Sequence, residues 1–230
     1  MFPGRSFGLW LKWVAANTLG EMIGLGTTIA VLGLGLSVIN GISGVLGILA
    51  GYGLAIITGI LEATVVGWAQ WRVLNPWLPK ITFKAWWVAT LIGALIAYCL
   101  GYLPSTIMSL QDQSTQSTAV ESEQWVIFLL AAGMGLVGGL ILSYYQWRVL
   151  RKHVNGSRVW LPANMLGWML GMPLIFWGID MAQKITDPAP QILLMVGVLL
   201  VTGAIVGAVH GVSLVQLVKK PIQAEFARTG

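Results

Sequence analysis

The sequence predicts an all-α integral membrane protein with six transmembrane helices. Of its 230 residues, 57% are hydrophobic and only 9% are charged, whereas a soluble domain carries roughly 25% charged residues. The apolar residues fall into six separate runs, each long enough to cross the ~30 Å hydrocarbon core of a bilayer as a helix. This composition excludes a soluble enzyme, a disordered chain and a disulfide-rich secreted domain.

The first two helices are predicted at 10–38 and 45–71. The break between them, 40–44, consists of turn residues, so we expect a tight helical hairpin. Arg5 and Lys12 precede the first apolar run, as in a signal peptide. The run is nearly thirty residues long, beyond the 7–15 residues of a signal-peptide core. We therefore expect it to be retained as the first helix.

Four further helices follow, and the third is expected to end at Pro104 before a polar segment, 111–124. Together they predict one transmembrane domain over 1–230, made of three hairpins and a short cytoplasmic tail at 221–230. The predicted helices are 86–104, 125–147, 160–182 and 191–217, and the hairpin repeats are about 10–80, 81–158 and 159–220.

The basic residues predict the orientation. Twelve of the thirteen Lys and Arg residues lie at the chain ends or between helices two and three and helices four and five. Cytoplasmic loops carry such an excess, so both termini are expected in the cytoplasm. The net charge of +5 then marks these loops, and we expect no nucleic-acid partner. Eight of the twelve tryptophans fall at the same boundary, as in an interfacial aromatic belt.

An internal repeat organises the chain. The odd helices begin alike at Trp13, Trp86 and Trp160, with spacings of 73 and 74 residues. The even helices end alike, in the following segments: Gln70-Trp71-Arg72-Val73-Leu74, Gln146-Trp147-Arg148-Val149-Leu150 and a degraded Gln216-Leu217-Val218-Lys219-Lys220. The protein is therefore predicted to be three tandem α-hairpins around a pseudo-threefold axis. The repeated Gln70, Gln146 and Gln216 are expected to serve packing near that axis.

Small and polar residues share one face of each odd helix. Asn17 is followed by Gly20 and Gly24, Asn164 by Gly167 and Gly171, and Thr90 by Gly93 and Ala97. Small residues let helix backbones approach, and a buried Asn or Thr can hydrogen-bond across the gap. We therefore expect Asn17, Thr90 and Asn164 to pack helices together. Gly135/Gly139 and Gly203/Gly207/Gly211 predict further close contacts.

Ionisable residues within the apolar runs are the candidates for chemistry. Glu21, Glu62 and His210 are each predicted ~12–15 Å from the cytoplasmic boundary at 1.5 Å per residue. Two carboxyl groups and an imidazole at one depth can form a proton- or ligand-binding site. They can also make separate structural hydrogen bonds, and the sequence leaves both interpretations open. Asp180, near the outer end of helix five, is a fourth candidate.

The two repeated signatures, Trp-x-x-Ala-Asn-x-Leu-Gly and Gln-Trp-Arg-Val-Leu, carry a resemblance over nearly the whole chain. The sequence resembles a family of small multipass membrane proteins from cyanobacteria and Chloroflexi. It departs from the pattern at Thr90 and at Lys219-Lys220. The resemblance implies a bacterial protein of the plasma or thylakoid membrane and implies no activity or site.

The repeated packing motifs favour one function, and two alternatives stay open. The first is a non-enzymatic structural or interaction subunit, whose partners are the bilayer and other membrane proteins or further copies of the chain. The second is a small-molecule or ion transporter or binding protein that uses Glu21, Glu62 and His210. The third is a pigment or lipid-cofactor binder. We find no phosphate loop, metal-spaced Cys/His cluster or nucleophile motif, so no enzyme or metal site is predicted and the cofactor is left open.

Overall fold

The computed structural model describes residues 4–112 and 124–219. Within these ranges the protein contains six α-helices, all long and apolar enough to cross a membrane. A short 3₁₀ turn, Ser157–Val159, precedes the fifth helix. The all-helical prediction is confirmed, and the helices extend beyond most of the predicted ends. They are α1 Gly4–Ile39, α2 Gly44–Leu74, α3 Phe83–Asp112, α4 Gln124–Leu150, α5 Trp160–Gln183 and α6 Pro188–Leu217.

The helices close into a ring. Each helix packs against the next one in the chain, and α6 packs against α1. The first turn of the ring is the tight hairpin between α1 and α2, where the backbone of Ile42 donates to the carbonyl of Ile39. Gly44 has a φ of 70°, a left-handed conformation that glycine adopts without steric cost. The break between α1 and α2 therefore lies at the turn residues 40–43.

The prediction that the third helix ends at Pro104 is wrong, because α3 continues to Asp112 with the proline inside it. Proline removes one backbone donor and is tolerated in apolar helices where Ser and Thr side chains join the backbone hydrogen bonding. The hydroxyls of Ser105 and Thr106 both donate to the carbonyl of Tyr102 here, at 3.0 and 2.8 Å. Most of the predicted polar segment and the predicted tail, 113–123 and 220–230, lie outside the described residues.

Close helix contacts occur where glycine faces a neighbouring backbone. A Cβ atom placed on Gly139 of α4 would lie 2.6 Å from the carbonyl oxygen of Asn164 on α5. A Cβ on Gly203 of α6 would lie 2.7 Å from the carbonyl oxygen of Asn17 on α1. Both distances are too short for a larger residue without a shift of the helices, so these glycines set the spacing of the two helix pairs.

An apolar core closes one end of the ring. It includes one end of each of the six helices and the connections between α2 and α3 and between α4 and α5, next to the basic residues of the sequence. We call this the tryptophan end. Its buried members are Leu9, Trp13, Leu74, Leu78, Ile81, Trp86, Leu150, Val154, Trp160, Leu214, Val215 and Leu217.

Candidate functional site

Three tryptophans meet inside the tryptophan end. Trp13, Trp86 and Trp160 are fully buried, and the ring of Trp160 lies edge-on to the other two at centroid distances of 5.9 and 6.2 Å. Each comes from the start of an odd-numbered helix, at the repeated position that the sequence marks. Edge-to-face packing of this kind adds stability beyond the burial of the rings.

Each indole N–H of this cluster donates to a side chain of the preceding helix in the ring. Trp86 donates to Oε1 of Gln70 at 3.2 Å, and Trp160 donates to Oε1 of Gln146 at 3.0 Å. Trp13 donates to Nδ1 of His210 at 2.8 Å. The acceptor on α6 is therefore a histidine.

The expectation that Gln216 is the third copy of Gln70 and Gln146 is contradicted by this register. Gln216 is exposed, whereas His210 is 1% exposed and holds the equivalent position. The sequence repeat at the helix ends identifies the wrong residue of α6, because exposed positions at a helix end are free to vary. The buried spacing identifies the correct residue: Gly67-x-x-Gln70-x-x-x-Leu74 corresponds to Gly207-x-x-His210-x-x-x-Leu214.

A chain of amide hydrogen bonds links the helices above the tryptophans. Nε2 of Gln146 donates to Oε1 of Gln70 at 3.2 Å and to the hydroxyl of Thr90 at 3.0 Å. Nε2 of Gln70 donates to Oδ1 of Asn17 at 2.8 Å. Asn17 and Asn164 also donate to the carbonyls of Trp13 and Trp160 in their own helices. Asn17, Thr90, Gln70 and Gln146 thus join neighbouring helices, as expected of packing residues.

The structure brings Glu21, Glu62 and His210 to one small cavity. Its volume is about 20 Å³, room for about one water molecule. Glu21 and His210 are buried, at 2% and 1% exposure. The rest of the lining comes from all six helices: Asn17, Ala63, Val66, Gln70, Thr90, Ala94, Leu142, Gln146, Asn164, Trp168 and Val206. We call this the central cavity.

The two carboxyl groups have different partners. Oε2 of Glu62 accepts a short hydrogen bond from the hydroxyl of Tyr98 on α3. Oε2 of Glu21 is buried and has no hydrogen-bond partner among the described residues. Gly24 brings the helices together at this level, since a Cβ there would lie 3.1 Å from Cα of Glu62. One carboxyl group is therefore fixed by a phenol, and the other has an oxygen free to take a proton or a water.

Asp180 does not belong to this site. It is exposed and pairs with Lys184 at 2.9 Å, one helical turn further along α5. Nε2 of Gln124 lies 3.4 Å from the same carboxylate oxygen. Water and these two partners therefore explain the position of Asp180.

Two residues near the site carried no signal in the sequence. Tyr98 is a single tyrosine without a counterpart in the other hairpins, yet it is the donor to Glu62. Thr202 of α6 is fully buried and its hydroxyl has no partner within the described ranges. The spacing from Thr202 to His210 equals that from Glu62 to Gln70, a correspondence that is visible only in the register that the structure reveals.

The donor set of the central cavity fits a proton better than a metal ion. Among residues 4–112 and 124–219, no three His, Cys, Asp or Glu side chains are grouped closely enough to hold a metal. Nδ1 of His210 accepts the Trp13 N–H, which leaves Nε2 as the protonated nitrogen of a neutral ring. The cavity is therefore lined by two carboxyl groups and a neutral imidazole, in a volume that suits a proton or a water.

One titratable group at the tryptophan end has a perturbed pKa. His153 lies in the connection between α4 and α5 and is half-buried. Burial lowers its pKa from 6.5, and the nearby ammonium groups of Lys80 and Lys152 lower it further. The imidazole is therefore held in its neutral form by its surroundings.

Comparison with protein-family profiles, curated proteins and solved structures found no match to this chain.

Proposed function

We propose that this protein binds a proton at Glu21 and Glu62 inside the membrane and functions in proton-linked transport, without enzymatic chemistry. The observation that carries the proposal is that Glu21, Glu62 and His210, which are remote in sequence, line one central cavity. Ionisable groups in a membrane interior are costly and typically mark ion or proton pathways. Separate structural contacts would not require all three to share a cavity.

The hydrogen bonding around the cavity supports a change in protonation there. The unpartnered oxygen of Glu21 is an unsatisfied buried polar atom, which costs about 1–3 kcal/mol. A water placed in the cavity would satisfy it, and a proton would remove the charge of the carboxylate. The glutamines and asparagines of the neighbouring layer are already bonded to one another and to tryptophans. Titration is therefore assigned to the two carboxyl groups.

We also propose that the three hairpins are repeats around a pseudo-threefold axis. The support is the matching set of indole hydrogen bonds, from Trp13 to His210, from Trp86 to Gln70 and from Trp160 to Gln146. In this arrangement the repeated residues form the sealed tryptophan end. Glu21 and Glu62 have no acidic counterpart in the other hairpins, which gives the ring its single acidic site.

The proposed orientation places both termini and the tryptophan end in the cytoplasm. It rests on the basic residues next to that end and on the cation–π contacts of two arginines. Arg72 lies 5.8 Å from the ring centre of Trp68, and Arg151 lies 5.0 Å from that of Trp147. Such pairs suit the headgroup region of a bilayer. The resemblance to bacterial proteins makes plasma or thylakoid membrane the proposed location.

A structural or interaction subunit is the competing proposal. It is supported by the close glycine contacts of α4 with α5 and of α6 with α1 and by the amide network, both of which serve packing. A pigment or lipid cofactor has the least support, because His210, Gln70 and Gln146 are all bonded to tryptophans.

Infrared difference spectroscopy tests the proposal, because a protonated carboxyl group has its own C=O band. The purified protein is titrated with acid alongside the variants Glu21→Gln and Glu62→Gln, with Asp180→Asn as the exposed control. We expect a carboxyl band that changes with pH in the wild type and in Asp180→Asn and that is diminished in the other two. Identical spectra in all four proteins would overturn proton binding.

Transport is tested separately in liposomes that contain a pH-sensitive dye. A pH step across the membrane should decay faster with the wild-type protein than with Glu62→Gln. Equal decay, together with a normal carboxyl titration, would limit the function to proton binding. A constant one-to-one partner in mild detergent would favour the structural subunit.

A further inference from the structure

A second, larger cavity lies at the opposite end of the molecule from the tryptophan end. It has a volume of about 580 Å³, which is within the range of small-molecule sites. It lies between α1, α2 and α3, next to the α1–α2 turn. We call it the outer cavity. The residues of α1 and α2 that line it are mainly apolar, including Leu32, Leu36 and Ile48, and those of α3 carry hydroxyls.

The hydroxyl groups of this cavity present acceptors. Ser105 and Thr106 donate to the carbonyl of Tyr102, and Ser109 donates to the carbonyl of Ser105. Tyr52 donates to the carbonyl of Cys99 at 2.9 Å. Each hydroxyl has a single proton, so what remains toward the cavity are oxygen lone pairs. These hydroxyls therefore suit a ligand that donates hydrogen bonds, and the Asn40 amide of the lining can both donate and accept.

The lining of the outer cavity is uncharged, and the ionisable group linked to it is acidic. Its described lining contains no Lys, Arg, His, Asp or Glu. Tyr102 of the lining packs against Tyr98 at a ring distance of 5.9 Å, and Tyr98 donates to Glu62. The lining is thus linked through two tyrosines to the carboxyl group of Glu62, whose negative charge favours a cation in a region of low dielectric constant.

We propose that the outer cavity binds an amphipathic organic ammonium ion, with its apolar part against α1 and α2 and its N–H groups on the hydroxyls of α3. Two tyrosine rings at the site, Tyr52 and Tyr102, suit such a cation. We further propose that ammonium binding is linked to the proton on Glu62 through Tyr98. This link rests on the proposed function, whereas binding in the outer cavity does not.

Three fluorescent probes with one apolar body test the ligand class. They are dansylcadaverine, a primary ammonium; its N-acetyl derivative, which is neutral; and dansyl-6-aminohexanoate, an anion. With purified protein in detergent, we expect the ammonium to bind about tenfold more tightly than the neutral probe, since hydrogen bonds to a charged group are worth that much. The anion should bind most weakly. Equal affinities would overturn the assignment.

The site is tested with a matched pair of variants. Thr106→Val removes one acceptor from the cavity and preserves the side-chain shape. Thr27→Val makes the same change at an exposed position of α1, where the hydroxyl also donates to its own helix. We expect Thr106→Val to weaken the ammonium probe several-fold toward the affinity of the neutral one and Thr27→Val to have no effect. Equal effects of the two would overturn the location.

The link to the proton is tested with Glu62→Gln and Tyr98→Phe. Glu62→Gln should weaken the ammonium probe several-fold and make its binding independent of pH, with the neutral probe unchanged. Tyr98→Phe should retain ammonium binding with a reduced pH dependence. If Glu62→Gln binds the ammonium as the wild type does, the link is wrong, and the comparison of Thr106→Val with Thr27→Val decides the outer cavity alone. If the carboxyl band fails to titrate but the ammonium selectivity is found, the proposed function fails and the cavity assignment stands.

Discussion

Trp13, near the start of α1, donates its indole N–H to Nδ1 of His210 on α6, at 2.8 Å. Both side chains are buried. This hydrogen bond joins α1 and α6, the two ends of the helical ring, at a position where the other two hairpins use glutamine. It also fixes which nitrogen of His210 is left for the central cavity.

The first prediction follows from that exchange. His210→Gln should retain the stability of the wild type, because a glutamine oxygen accepts from tryptophan at the equivalent positions of α2 and α4. His210→Ala should lose about 1–3 kcal/mol, because the Trp13 N–H is left buried without a partner. Unfolding in detergent followed by circular dichroism measures both. Equal losses in the two variants would contradict the prediction that glutamine can replace His210 as the acceptor of the Trp13 N–H.

A second prediction separates the two glutamines that the sequence treats as equivalent. Gln146 bonds to Trp160, Gln70 and Thr90 in the interior, so Gln146→Ala should lower the unfolding free energy by roughly 2–3 kcal/mol. Gln216 is exposed, and Gln216→Ala should change it by less than about 0.5 kcal/mol. A large loss at Gln216 would restore the alignment that the structure rejects.

The third prediction concerns neighbouring glycines of α4. Gly139→Ala should destabilise the protein by about 1–3 kcal/mol, because the new methyl group would lie 2.6 Å from the Asn164 carbonyl oxygen. Gly138 has open space around it, so Gly138→Ala should be neutral or slightly stabilising through helix propensity. Thermal unfolding of the two variants in one detergent gives the comparison, and similar behaviour would rule out backbone contact at Gly139.

A fourth prediction concerns the hydrogen bond between Tyr98 and Glu62. Tyr98→Phe removes the donor, so the infrared C=O band of the Glu62 carboxyl should shift in position without being lost. Tyr102→Phe changes a tyrosine that has no hydrogen bond to Glu62, and the band should stay in place. A shift in Tyr102→Phe alone would place the donor elsewhere.

The fifth prediction is a pH effect at the tryptophan end. The pKa of His153 is lower in the folded protein than the 6.5 of a free imidazole, chiefly through burial. The unfolded chain therefore takes up more protons as the pH falls below 6.5, and stability declines until the folded pKa is passed. His153→Asn should remove this part of the decline. Parallel pH profiles of unfolding for the two proteins would contradict the assignment.

Much of the fold was predictable because its physical causes are local. Long apolar runs define helices, and the turn residues at 40–44 define the first hairpin. Pro104 misled because a proline removes only one backbone donor, and α3 continues through it to Asp112. Whether a helix stops at a proline depends on packing around it, which a residue pattern does not contain.

For the candidate site, the sequence predicted how far along their helices the three residues lie, but not which groups they contact. Counting residues from the boundary placed Glu21, Glu62 and His210 at one height, and the structure places them on one cavity. The partner of each group depends on how helices rotate about their axes, which single-residue positions such as Tyr98 do not reveal. Asp180 was a weaker candidate for a similar reason, since its exposure and its pairing with Lys184 depend on the end of the helix.

The hydrogen bonds of the three tryptophans also constrain the order of assembly during synthesis. Trp86 finds Gln70 and Trp160 finds Gln146, partners that the ribosome has already made. Trp13 on α1 is made long before its acceptor, His210 on α6. A growing chain therefore carries an unsatisfied indole until the sixth helix arrives. A chain truncated before α6 would keep that defect, and its early degradation by membrane proteases would reveal it.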